Sequence, residues 1–320
     1  KDENAFNIYK RTKTYQTIYH KLSPENVFAD SVEYYNKSNK RFAPAITPDL
    51  IDKLDYIYIY NHINQRFANP ADFTFIITGN VDVEQIKKYA LTYLAPLKTS
   101  TEETEEWLIV PDYRFKGQLH KNFLHKMVLP RTYIDYTNSY SLSYSVENKI
   151  LASMYEKYMQ GEFAKGEIKE RSPRNNVSCF IEFYPEEILV CKSTFETDSA
   201  GASKIVDLVK AVEGKLVNKE VDITRFEQIK NSLREKYNLS QQSNWYWIDV
   251  ISDKVLLGKD VSSEYLETLE SITIEKFIEF VSDISSKGNH ISVVMEGTTE
   301  DVNTQNLFRE NEFIKDFFGL

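Results

Sequence analysis

One pattern limits the folds open to this chain more than any other. A helix, a short link, a strand and a glycine occur twice, 218 residues apart. Residues 54–79 and 272–297 register without a gap: Leu54 matches Ile272, Ile63 matches Val281, Phe73 matches Ile291, Phe75 matches Val293, and Gly79 matches Gly297. Apolar positions that keep both helical and strand phase across such a spacing point to a duplicated unit. Read as a duplication, the repeat sets a domain of about 220 residues, within the range of compact domains. Residues 1–103 are then the C-terminal part of a first α+β domain, and residues 104–320 a complete second one.

The bulk numbers agree with a folded chain and exclude some functions. Apolar residues make up 42% and charged residues 27%, a balance that supports an ordinary core. The net charge of -9 leaves no basic stripe for phosphate backbones, so nucleic acid is not an expected partner. No stretch of about 20 apolar residues is present, so no transmembrane segment is expected. The chain starts at Lys1 inside what reads as a helix, with no initiator Met or signal peptide, and the expectation is a piece of a longer protein.

Local signals divide the chain further. Residues 5–22 carry apolar side chains at helical spacing. Ser23-Pro24 caps and opens a helix over 25–35, and Thr47-Pro48 repeats that signal before a longer helix through Tyr56, Ile59, Ile63 and Phe67. Residues 73–77 read as a strand ended by Gly79-Asn80, and 83–94 as a helix. From 96 to 106 the chain turns polar, with the acidic run Glu102-Glu-Thr-Glu-Glu106, and reads as a solvated linker. Strands follow near 119–128 and 132–136, then a helix over 142–159. Two apolar runs, 177–184 and 188–195, flank the turn Pro185-Glu-Glu187 as a hairpin. Helices over 200–216, 223–239, 245–256 and 274–284, a strand over 291–295 and a tail that is either a short helix or disordered complete the reading. Cys179 and Cys191 fall nearly opposite one another on that hairpin. A cross-strand disulfide is therefore conceivable, although two buried free thiols are the ordinary reading.

Several motifs resemble bacterial insulinase/pitrilysin-type zinc metallopeptidases. The segment Gln65-Arg-Phe-Ala-Asn-Pro-Ala-Asp-Phe-Thr-Phe-Ile-Ile-Thr-Gly-Asn-Val-Asp82 is similar to a family segment, and Tyr93-Leu-Ala-Pro-Leu97 looks like the end of the helix that follows it there. Tyr184-Pro-Glu-Glu, Phe195-Glu-Thr-Asp198 and Ser243-Asn-Trp-Tyr-Trp247 resemble later family segments. The resemblance implies antiparallel sheets with helices packed on one face, in duplicated domains around a chamber that holds a polypeptide as an added strand. It implies that the zinc sits in an N-terminal half carrying His-x-x-Glu-His. The other half supplies the chamber wall and an Arg/Tyr pair that grips substrate. An envelope or periplasmic location, favoured over the cytoplasm, is an expectation from such bacterial relatives.

The chemistry residues refine this. A catalytic zinc takes three protein ligands and leaves a fourth position for water. The histidines are His20, His62, His120, His125 and His290, and no two lie three or four residues apart on a helix. His120 and His125 fall five apart in a strand, on opposite faces. No zinc site or other cofactor is therefore expected in this chain; zinc is expected in the N-terminal half. The Arg/Tyr pair is not restored by either alignment. Counting from the helix puts Gln160 and Glu167 at its places, and counting back from Tyr184-Pro puts Pro173 or Asn175 at the tyrosine. Arg171 and Arg174 remain as candidate substrate-binding residues, since guanidinium groups bind backbone carbonyls well, while two arginines in a polar loop are ordinarily solvated charges. No Gly-x-Ser-x-Gly elbow, phosphate loop or dinucleotide fingerprint occurs. Trp245-Tyr-Trp247 reads as half core, half surface.

The leading expectation is the non-zinc C-terminal half of a zinc metalloendopeptidase, inactive alone and partnered by its N-terminal half or a homologous subunit, with peptide as substrate. The alternative is a degenerate homologue that binds peptides or supports a catalytic partner.

Overall fold

In this computed structural model, residues 2–38, 46–98, 110, 113–198, 202–258, 260 and 262–302 are described. The elements run α1 (Glu3–Leu22), α2 (Pro24–Asn36), α3 (Pro48–Asp52), α4 (Tyr56–Arg66), α5 (Val83–Tyr89), β1 (Gln118–Lys126) and β2 (Thr132–Ser141). Then follow α6 (Val146–Phe163), α7 (Gly166–Arg171), β3 (Arg174–Glu182), β4 (Ile188–Thr197), α8 (Ala202–Val217) and α9 (Ile223–Ser240). The described elements end with α10 (Asn244–Leu257), α11 (Tyr265–Ser271), α12 (Ile274–Lys287) and β5 (Asn289–Thr298).

The strands form one sheet in the order β1-β5-β2-β4-β3. All neighbours are antiparallel except β1 and β5, which run parallel. The architecture is α+β, as expected, with the main group of helices on one face. There Ile134, Leu189 and Phe195 of the sheet meet Tyr155, Phe163, Phe226 and Phe277 in a single buried cluster. The sequence dictates this packing. Phe277, Phe280, Val281 and Ile284 recur at helical spacing on α12, and all four are buried. Burying each such side chain stabilises by roughly 1.5–3 kcal/mol.

The opposite face is covered in part by α2. Val27, Phe28 and Val32 pack on Phe123, Tyr133, Ile291, Val293 and Met295, so the segment before the linker lies against the second sheet face. Arg114 adds an ion pair to Glu182 at the end of β3. The polar linker expected over 96–106 falls mostly outside the described residues, as does the tail expected after 300.

Three local expectations are corrected. The helix expected from Thr47 onward is two helices: the Asp55 side chain accepts from Tyr58 N at 2.6 Å and starts α4 afresh. Residues 73–77 form no strand, because no other described strand pairs with them. The segment leans instead on the start of α10, where Thr78 Oγ1 donates to Asn244 O at 3.3 Å. Cys179 and Cys191 are directly paired in register and joined as a disulfide, not free thiols.

Candidate functional site

β3 is an edge strand, and the face it shares with β4 on the side of α2 is open near that edge. Side chains alternate along β3, so Arg174, Asn176, Ser178, Phe180 and Glu182 point to this face while Val177 and Cys179 enter the core. Asn176 and Phe180 are exposed, and Ser178, Lys192 and Thr194 are half-buried beside them. These residues form a shallow polar wall with one aromatic end.

The wall is anchored below by a buried charge. Asp135 of β2 is wholly buried, accepts from Thr137 Oγ1 at 2.6 Å, and has Lys192 Nζ 3.2 Å from its other oxygen. Burial pushes its carboxyl above the usual range, and Lys192 and Thr137 oppose that shift.

The two arginines singled out from the sequence lie at the start of this wall but are not brought to one point. Arg171 closes α7 and turns back on Glu167, donating from Nε at 2.8 Å and from Nη2 at 2.6 Å. Its side chain is 28% exposed, whereas that of Arg174 is 70% exposed. Arg174 donates from Nη1 to both oxygens of Glu196, at 3.1 Å each, and Arg131 pairs with the same carboxylate. Glu167, the residue at the family's tyrosine position in one alignment, is therefore the partner of Arg171. The corner is tied by short contacts: Ser172 Oγ lies 2.8 Å from both Arg174 O and Glu196 O and donates its one hydrogen between them, and Thr197 Oγ1 donates to Arg171 O at 2.6 Å.

Arg131 and Glu156 carry no signal in the sequence, and Glu196 stands out there only as part of Phe195-Glu-Thr-Asp198, not as a partner of the arginines. Arg131 and Glu196 meet Arg174 only through the sheet. Glu156, on α6, accepts the backbone N–H of Cys179 at 3.1 Å and so occupies a donor on the free side of β3.

The histidines do not converge on a metal position. His120 and His125 are both on β1, at odds of phase, facing opposite sides. His290 is held by Asn138 and by Ser285 O, His20 by Asp30, and His62 stacks on Tyr58. The described residues of this chain therefore do not fit a zinc ligand set. Of the aromatic run on α10, Trp245 and Trp247 are exposed, and Tyr246 alone packs against the small cluster of Tyr144 and Val250.

A second concentration of polar groups lies inside the large core. Glu213 of α8 accepts from Tyr155 OH at 2.5 Å and from Asn138 Nδ2 at 2.9 Å, and Asn138 Oδ1 lies 2.8 Å from His290 Nδ1. Glu213 is 3% exposed, and burial pushes its carboxyl up to about 7 against the pull of Tyr155, Lys210 and Asn138. Enclosed this way, it holds α6, α8 and the sheet together and cannot meet a substrate.

No protein-family model matches the chain, and no curated protein sequence does. Solved structures do match. The periplasmic protease PqqL from Escherichia coli superposes with a TM-score of 0.77 at 14% identity, over 93% of this chain and 33% of that one. The ferredoxin protease FusC, solved with Arabidopsis ferredoxin, gives 0.74 at 12% identity, over 92% of this chain and 32% of that one. A peptidase M16 inactive domain from Pseudomonas fluorescens gives 0.65 at 11% identity, over 93% and 72%. The chain thus spans about a third of the first two, and at these identities the likeness is one of fold: its structural neighbours are M16-like peptidase domains.

Proposed function

We propose that this chain is the non-zinc half of a two-halved zinc metallopeptidase of the insulinase/pitrilysin type. In this reading residues 1–103 belong to a first domain and residues 104–320 form a second. The wall beside β3 lines a chamber and grips a polypeptide that another half, carrying His-x-x-Glu-His and the zinc, cleaves. The observation that carries it is the open edge of β3 flanked by polar side chains in a fold shared with M16-like proteases. Extended polypeptides add to such an edge through backbone hydrogen bonds, and adjacent side chains choose among them. Arg174 is the better placed of the two candidate arginines, because its guanidinium is exposed over the wall. An exported, envelope or periplasmic setting is supported by the disulfide, which persists in oxidising compartments, and by the periplasmic location of PqqL.

A second reading, a degenerate homologue that binds peptide or supports a catalytic partner without cleavage, is favoured by the pairing of Arg171 with Glu167 and by the likeness to an inactive domain. Cleavage of a quenched unstructured peptide by the full-length parent protein, with and without a zinc chelator, separates the two. Chelator-sensitive cleavage that residues 1–320 alone do not perform supports the first. A folded parent that cleaves no peptide in a panel refutes it in favour of the second.

A further inference from the structure

The free side of β3 is already partly occupied. Successive residues of an antiparallel strand turn their backbone groups alternately toward and away from the partner. Cys179 donates to Glu156 Oε2 at 3.1 Å and therefore turns away from β4; Asn175, Val177 and Ile181 turn the same way. A strand added at this edge needs the Cys179 N–H for one of its own carbonyls, and Glu156 stands in that place. Hydrogen bonds to a charged acceptor are stronger than those to a neutral carbonyl, so the exchange is unfavourable unless something else compensates it. Among the described residues, no lysine or arginine forms an ion pair with Glu156. Its carboxylate is half-buried on α6 and serves that one amide.

We propose that Glu156 selects which polypeptides add to β3. The strands it admits carry Lys or Arg at the position facing Cys179. Residues directly opposite across two strands project to the same sheet face. The side chain opposite Cys179 therefore points to the face where α6 lies, next to the carboxylate it has just displaced. A cation there restores a partner to Glu156, whereas a carboxylate there repels it. Neighbouring residues of the added strand project to the other face and meet Ser178 and Phe180, so the selected segment is basic at one position and apolar or small at the next. This rests on the proposed reading that polypeptide is held as an added strand at β3.

The test uses residues 1–320 and a fluorescein-labelled peptide of alternating threonine and valine with lysine at its centre. Its counterparts carry norleucine or glutamate at the centre. Anisotropy titrations give affinity, and amide exchange at Asn175, Val177 and Cys179 reports where the peptide sits. Wild type prefers lysine over norleucine by about fivefold, the upper reach of a partly exposed ion pair. Glu156→Ala binds both peptides more tightly and loses the preference. Glu156→Gln, which retains the acceptor and the fold without the charge, also loses the preference. Peptide that slows exchange at Asn175 and Val177 but shows the same lysine preference in Glu156→Ala, or none in wild type, overturns the selector role and leaves the edge reading standing. If no peptide slows β3 exchange in wild type or either variant, both fall.

Discussion

Replacing Glu213 by Gln tests the account of the core most directly. The carboxyl is enclosed by Tyr155 of α6, Tyr136 and Asn138 of β2, Lys210 of its own helix and, through Asn138, His290 of β5. Burial is the largest influence on it and holds its titration near 7, against 4.5 for an ordinary glutamate. The raised value means that the native state binds this proton more tightly than the unfolded chain does. The stabilisation is fully present below pH 4.5 and is lost as pH rises through 7. The difference of 2.5 pH units corresponds to about 3 kcal/mol, a large share of the stability of a typical domain. Gln keeps an oxygen for Tyr155 and Asn138 but never charges. Urea midpoints measured at pH 5 and pH 8 therefore fall for wild type by the equivalent of about 2.5 kcal/mol and change much less for Glu213→Gln. Groups outside this network, such as His125, titrate in both proteins and cancel in the comparison. Parallel pH profiles for the two proteins refute the reasoning, because they place the titration of Glu213 at its ordinary value.

Other residues give further tests. Arg174→Ala costs less than about 1 kcal/mol of stability, because the pair is exposed and Arg131 remains on Glu196, yet it weakens peptide capture several-fold in anisotropy titrations. Arg171→Ala leaves capture within about twofold, since that guanidinium is folded back on Glu167 and only 28% exposed against 70% for Arg174. Gly297→Ala destabilises by about 2–3 kcal/mol in urea denaturation. A Cβ there would meet the backbone N and O of Arg131 at 2.6 and 2.7 Å. Gly214→Ala, with nothing within 4 Å and a helical backbone, stabilises by about 0.5–1 kcal/mol in the same assay. Alkylation of the unfolded, unreduced protein labels neither Cys179 nor Cys191, and both become labelled after reduction.

Local chemistry made much of this fold legible in advance. Ser23-Pro24 caps α2 as read, Ser23 Oγ accepting from Asn26 N, and the apolar runs around Pro185 form β3 and β4. The missed elements lack periodic signal. α7 is six residues with one buried apolar side chain, Ile168, and its polar run reads as loop. The site was legible only in outline. Arg174 and Arg171 stood out as basic residues in a polar loop, but what each does depends on partners brought in by the fold. Glu196 reaches Arg131 across 65 residues of sequence, and Glu156 reaches the Cys179 amide across 23. A backbone amide capped by a distant carboxylate leaves no trace in residue type or spacing. Even the disulfide depended on register, since a slip of one residue would have put the two sulfurs on opposite faces.

The repeated unit shows where sequence stops determining structure. In its second occurrence Val293 is 0% exposed, because β5 lies between β1 and β2 with α12 and α2 on its two faces. Its counterpart Phe75 is 57% exposed, and Phe73 and Ile77 stand open on the same phase. The apolar alternation is equivalent in both, so it fixes which face wants burial but not whether burial is achieved. That depends on flanking strands, which supply the hydrogen bonds a lone extended segment lacks and exclude water from its side chains. The helix before it behaves alike. Ile63 of α4 is exposed where Val281 of α12 is fully buried. A helix and an extended segment here thus expose the very positions that the matching segment buries. With Ile63, Phe75 and Ile77 in water, covering this face would add burial that the core around β5 already has.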